Sequence, residues 1–102
     1  MVLLEFSISP LGEGESVSAQ VAQCVDIIDR SGLPYQLHAM GTIVEGELEP
    51  VLHLLQHCVE FMAKNSKRIS VTAKLDYRQG SSGRLTGKVA AVEKLLGRSL
   101  KK

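Results

Sequence analysis

Residues 2 to 9 alternate, with Val2, Leu4, Phe6 and Ile8 on one side of the chain and Leu3, Glu5, Ser7 and Ser9 on the other. A period of two marks a half-buried strand, which Pro10 ends. Apolar residues then recur at helical spacing at Val17, Val21, Cys24, Val25 and Ile28, between a candidate N-cap at Ser16 and a stop at Gly32, and predict a helix over 16–31. Pro34 introduces a short strand, Tyr35-Gln-Leu-His38, and a small connection at Met40-Gly41 leads into a second run from Thr42 to Glu47. Two such runs joined this closely are expected to pair antiparallel. The phase of the second run stays open, because Ile43 and Val44 are both apolar; with Val44 turned inward, Glu45 joins the polar face. Glu47, Glu49 and Pro50 then precede the stripe Val51, Leu54, Leu55, Cys58, Val59 and Met62, the pattern of a second helix with acids at its positive end. From Arg68 to Asp76, Ile69, Val71, Ala73 and Leu75 alternate with Ser70, Thr72, Lys74 and Asp76, the longest strand signal in the chain. After a polar turn from Arg78 to Arg84, the residues Leu85, Val89, Val92 and Leu96 predict a last helix stopped by Gly97.

The order β-α-β-β-α-β with an added C-terminal helix predicts an α+β, ferredoxin-like antiparallel sheet with helices on one face. Right-handed crossovers place the first and third strands in the centre and the second and fourth at the edges. One domain is expected over 1–97, with a frayed basic tail over 98–102. The second face of that sheet carries Glu5, Ser7, Ser9, Ser70, Thr72, Lys74 and Asp76, joined by Gln36 and His38. Water, a second sheet or a ligand are the candidates for covering it.

Composition narrows the function more than the fold. Twelve basic residues against eleven acidic ones give a net charge of +1, which leaves no global footprint for nucleic acid or an anionic membrane. The N-terminal Met-Val-Leu-Leu-Glu5 has no basic flank and argues against a signal peptide, and no apolar run approaches the roughly 20 residues of a membrane span. A cytoplasmic location is the expectation. Cys24 and Cys58 form no CxxC and sit in apolar stripes, so they are expected to be buried thiols in a reducing compartment. Trp is absent, and the aromatics are only Phe6, Tyr35, Phe61 and Tyr77, so aliphatic packing must build the core.

Catalytic chemistry is sparsely represented. His53 and His57, four apart on the second helix, point the same way and could share a metal ion, yet two imidazoles are an incomplete site. A metal-dependent enzyme using them ranks behind the other readings. No nucleophile with a base and an orienting group stands out. Gly12-Glu13-Gly14 departs from a phosphate loop because Val17 replaces the third glycine and the acids would repel phosphate. Arg78 and Arg84 flank Gly80-Ser-Ser-Gly83, a weaker candidate for an anion than for a solvated loop. Glu5, Glu45, Glu47 and Asp76 are the carboxylates near the sheet that a cation or a heterocyclic amine could use.

Three blocks in order, Glu5-Phe-Ser-Ile-Ser-Pro-Leu-Gly-Glu-Gly-Glu-Ser16, then Gly32-Leu-Pro-Tyr35 with Met40-Gly-Thr-Ile-Val-Glu-Gly46, then Arg84-Leu-Thr-Gly-Lys-Val-Ala-Ala-Val-Glu-Lys-Leu-Leu-Gly97, resemble the thiamine-binding protein family. The resemblance spans residues 3–97. It implies a ferredoxin-like fold assembled as a homotetramer, and non-catalytic binding of thiamine or its aminopyrimidine part by a carrier, buffer or sensor. No catalytic cofactor is implied; thiamine or its pyrimidine moiety is the ligand. Positions that lie in these blocks and suit the chemistry are Ser7, Ser9 and Thr42 as hydrogen-bonding hydroxyls, Glu45 as acceptor or counter-charge, and Met40 as polarizable packing beside the ring. Phe6 or Tyr35 would add whatever ring stacking there is. An oligomeric interaction or regulatory module without a thiamine ligand is the alternative.

Overall fold

A computed structural model describes residues 1–12, 17–80 and 82–101. The elements run β1 (Val2–Pro10), α1 (Val17–Arg30), β2 (Tyr35–His38), β3 (Gly41–Gly46), α2 (Leu48–Ala63), β4 (Ile69–Tyr77) and α3 (Arg84–Leu96). The expected N-cap Ser16, the acids Glu13 and Glu15 and the loop residue Ser81 lie outside the described residues.

The four strands form one antiparallel sheet in the order β2-β3-β1-β4, the ferredoxin-like arrangement with β1 and β3 central. Register settles the open phase of β3. Leu4 lies opposite Val44 and Phe6 opposite Thr42, whereas Leu3 lies opposite Glu45 and Glu5 opposite Ile43. Opposed residues share a face, so Val44 and Thr42 join Val2, Leu4 and Phe6 under the helices, and Ile43 and Glu45 join the second face. The same rule puts Gln36, opposite Ile43, on the second face.

The core fills the space between that first face and α1 and α2. Val2, Leu4, Phe6 and Val44 from the sheet meet Cys24 and Ile28 of α1 and Val51, Leu54, Cys58 and Met62 of α2, all buried. Residues 51, 54, 58 and 62 are spaced 3 and 4 apart, so they form one stripe along α2. Pro50 sits in the first turn of this helix, where a missing N–H costs nothing, and Glu49 faces the positive end of the dipole. Phe61 is only partly buried, so aliphatic and sulfur-bearing side chains supply most of the packing.

Two features depart from a plain two-layer picture. The first face is incompletely covered: Ala73, Leu75 and Tyr77 of β4 share it with Phe6, Leu4 and Val2, yet Leu75 is 40% and Tyr77 62% exposed. Meanwhile α3 lies against the second face, with Leu85, Val89 and Glu93 half-buried and no residue fully buried. Gly97 in the left-handed conformation ends α3, its N–H donating to the Glu93 carbonyl.

Candidate functional site

A notch in the sheet makes the first candidate site. β3 starts at Gly41, opposite His38 of β2, and its first pair with β1 is Thr42 opposite Phe6, while β1 runs on to Pro10 paired with β4 alone. From Ser7 onward, the flank of β1 that faced β3 has no strand neighbour among the described residues. The β2–β3 turn, Ala39-Met40, stands at this notch, and α1 closes its inner side. The result is a cleft of about 230 Å³ with Ile8, Val21, Val25, Ile28 and Met40 as apolar walls and Ser7, His38 and Thr42 as polar groups. Mostly apolar walls with a few hydrogen-bonding groups are the usual make-up of a small-molecule site.

A second space lies beside the notch on the second face. There a depression of about 330 Å³ shares Phe6, Ser7 and Met40 with the cleft and adds Glu5, Thr72 and Lys74. His38 stands between the two spaces. Its Nδ1 accepts a hydrogen bond from the Met40 N–H at 3.2 Å, which leaves Nε2 to carry the proton, 3.6 Å from the Glu5 carboxylate. Met40 itself is 83% exposed, a large apolar side chain held at the mouth of the cleft.

The expected site residues therefore divide. Ser7, Met40 and Thr42 come together around one cleft, although Thr42 reaches it from the helix side and is buried. Ser9 lies one residue pair further along the second face, opposite Ser70, and lines none of the spaces named here. Glu45 stands apart and has other partners. Its carboxylate, buried beneath α3, accepts the Arg84 N–H at 2.9 Å and the Leu85 N–H at 3.5 Å, the first two donors of that helix. A carboxylate at a helix N-terminus satisfies orphan donors and complements the dipole. Arg84 also bonds the Asp76 carboxylate of β4, so α3 is fastened by its first turn to two strands.

This fastening yields a direct expectation. Glu45→Ala removes the acceptor for two helix donors and is expected to cost about 1–3 kcal/mol, expressed locally. Amide exchange over 84–96 should accelerate while exchange in the β1–β3 ladder stays as in the parent; equal exchange in both would contradict the fastening. The role of Glu45 had a faint sequence signal: Gly83 at the N-cap position of α3 offers no side-chain acceptor, so the acceptor must come from elsewhere. The Glu5–His38 pair had none, because the residues are 33 positions apart and meet only through the register of β1, β3 and β2.

Two further spaces lie elsewhere on the surface. Between α3, β2 and the C-terminal tail lies a cavity of about 620 Å³ whose lining includes Gln36, His38, Val89 and Leu100. The tail is held there by the Leu100 N–H, which donates to Glu93 at 2.6 Å. His53 and His57 face a groove of about 340 Å³ at the end of α1 together with Arg30. Among the described residues no group of three or more His, Cys, Asp or Glu side chains is placed to hold a metal ion. No helix among them is long and apolar enough to cross a membrane.

Comparison with known proteins follows the same outline. The family model described as "Thiamine-binding protein" matches residues 4–93. A UPF0045 protein of Mycobacterium bovis is 41% identical over 96 residues, covering 93% of this chain and 94% of that protein. The crystal structure of a Methanocaldococcus jannaschii protein superposes with a TM-score of 0.80 at 29% identity, covering 91% of this chain and 96% of that one. A Thermotoga maritima structure, provisionally assigned to thiamine biosynthesis or salvage, shares the fold with a TM-score of 0.78 at 21% identity, covering 89% of this chain and 97% of that one.

Proposed function

This chain belongs to the thiamine-binding protein family, and from that premise we propose that it binds thiamine, or the free aminopyrimidine, at the notch beside β1. The observation that carries this reading is the convergence of Ser7, Met40 and Thr42 on one cleft, beside a depression that shares Ser7 and Met40 with it and carries Glu5. Thiamine needs two unlike environments. Its aminopyrimidine is flat, with an amine donor and ring-nitrogen acceptors, and suits the narrow apolar cleft, where the Thr42 and Ser7 hydroxyls and the open flank of β1 supply partners. Its thiazolium is a fixed cation and suits the second-face depression, where Glu5 provides the counter-charge. Met40 spans both spaces and packs against the ring system. Glu5 takes the role that the sequence suggested for Glu45, since both Glu45 oxygens already serve α3.

Binding without catalysis fits this arrangement, because none of the hydroxyls, the imidazole or the Cys24 thiol that line the cleft is hydrogen-bonded to a general base among the described residues. A carrier, buffer or sensor in the cytoplasm is the role we assign. A homotetramer accompanies it in this reading. The half-covered apolar face of β4, with Leu75 and Tyr77 exposed, and the unpaired outer edge of the same strand are surfaces that a second copy would cover.

Titration calorimetry tests the ligand. Thiamine and the free aminopyrimidine should both give saturable heats, and Thr42→Val should weaken both by about tenfold, the loss of one buried hydrogen bond. Glu5→Gln should weaken thiamine and leave the uncharged pyrimidine unchanged. Absence of heat and of any thermal shift with thiamine, its phosphates and the pyrimidine would remove the reading.

A further inference from the structure

The cleft has a wall whose chemistry ligand binding does not use. Cys24 on α1 and Cys58 on α2 are both free, and both are buried, at 2% and 0% exposure. They are 34 residues apart, yet the Cys24 S–H points at the Cys58 carbonyl oxygen 4.0 Å away. On two helices packed directly against each other, a thiol that reaches its partner's backbone can bond the partner's sulfur by side-chain rotation and a small closure. The carbonyl contact places the Cys58 backbone within reach of one thiol.

The pair is also asymmetric in access. Cys24 lines the cleft between Val21 and Ile28, whereas Cys58 lies in the core behind it. A hydroperoxide, little larger than two waters, entering past Met40 meets Cys24 first. The asymmetry in acidity runs the same way. Hydrogen bonding from Cys58 holds the Cys24 thiol below its ordinary value, while that same bond, and then burial, push Cys58 up.

We propose that Cys24 and Cys58 form a thiol-oxidation site, in which a hydroperoxide reaching the cleft converts Cys24 to a sulfenic acid that Cys58 resolves into a disulfide joining α1 to α2. The Cys24 sulfur attacks one peroxide oxygen; the O–O bond breaks, and the departing hydroxide takes the thiol proton and leaves as water. The Cys58 sulfur then displaces the sulfenic hydroxyl, the S–S bond forms, and a second water carries off that hydroxyl with the Cys58 proton. Two thiols lose two electrons in all, and one hydrogen peroxide becomes two waters. The site stands whichever molecule fills the cleft.

The test uses the whole reduced chain exposed to a few equivalents of hydrogen peroxide and followed by intact mass and peptide mapping. The expected product is about 2 Da lighter, with the Cys24 and Cys58 peptides joined within one chain and released by dithiothreitol. Dimedone present during oxidation should trap sulfenic acid at Cys24, more so in Cys58→Ser, and Cys24→Ser should show neither adduct nor link. Intact thiols under peroxide that oxidises glutathione in the same tube would overturn the proposal. So would links found only between chains, or trapping at Cys58 before Cys24. Because dimedone trapping in the parent chain reports the order of attack directly, the test holds even if a variant fails to fold.

Discussion

Gly41→Ala is expected to be among the most damaging single substitutions in this chain, destabilising it by about 3 kcal/mol or more. A Cβ at this position would stand 2.6 Å from the Phe6 carbonyl oxygen and 3.2 Å from its carbon, and the residue has φ of +155°, where L side chains are rarely found. The atom in the way is backbone of the central strand, so relief requires β1 and β3 to part where the notch begins. Denaturant melts should show a lowered midpoint, together with weakened ligand binding, because Thr42 and Met40 flank the glycine. Gly87→Ala is the matched control. It adds the same methyl within α3, where nothing lies within 4 Å, and helix propensity favours alanine there by about 1 kcal/mol. A Gly41→Ala chain as stable as its parent would mean that β3 does not approach Phe6 as described.

Leu4→Ala should cost about 2–5 kcal/mol, the range for removing a buried leucine and leaving a cavity. Leu4 is 2% exposed on the central strand, opposite Val44 on one side and Leu75 on the other, beneath the two packed helices. Domains of this size are stable by about 5–15 kcal/mol, so this one truncation removes a large share of the total. The midpoint of urea or thermal unfolding measures it. Leu4→Met keeps the volume and should lose less than about 1.5 kcal/mol; equal losses from the two substitutions would place Leu4 outside the packed core.

Strict alternation made β1 readable from sequence, and the i, i+3, i+4 stripe did the same for α2, because in both cases one buried face imposes its period on the chain. β3 was harder. Ile43 and Val44 are adjacent and apolar, so either phase satisfies a hydrophobicity pattern, and only pairing with Leu4 decides between them. That decision moves Glu45 to the second face and Thr42 away from it, which divides the expected site residues between two sides of the sheet. The placement of α3 was less readable still. Its stripe of Leu85, Val89, Val92 and Leu96 announces a helix but not a partner, and Val92 and Leu96 remain 37% and 53% exposed. What holds this helix is a carboxylate 39 residues earlier in the chain, an interaction with no local signature. Ser7, Met40 and Thr42 meet for a reason equally remote from local pattern: β1 is longer than β3, and the difference in length makes the notch.

The pairing of β1 with β4 has a kinetic consequence. Val2 lies opposite Tyr77, and eight further pairs run from Leu3 opposite Asp76 to Pro10 opposite Ile69. β1 therefore finds its outer neighbour only after α1, β2, β3 and α2 have been synthesised. Until then the nascent chain has β2, β3 and β1 for a sheet, with one flank of its central strand exposed. Contacts this distant in sequence make the folding nucleus expensive to close and place the chain among slower-folding mixed α/β topologies. The Glu45 fastening comes later still, since α3 has no place to dock before β3 has paired.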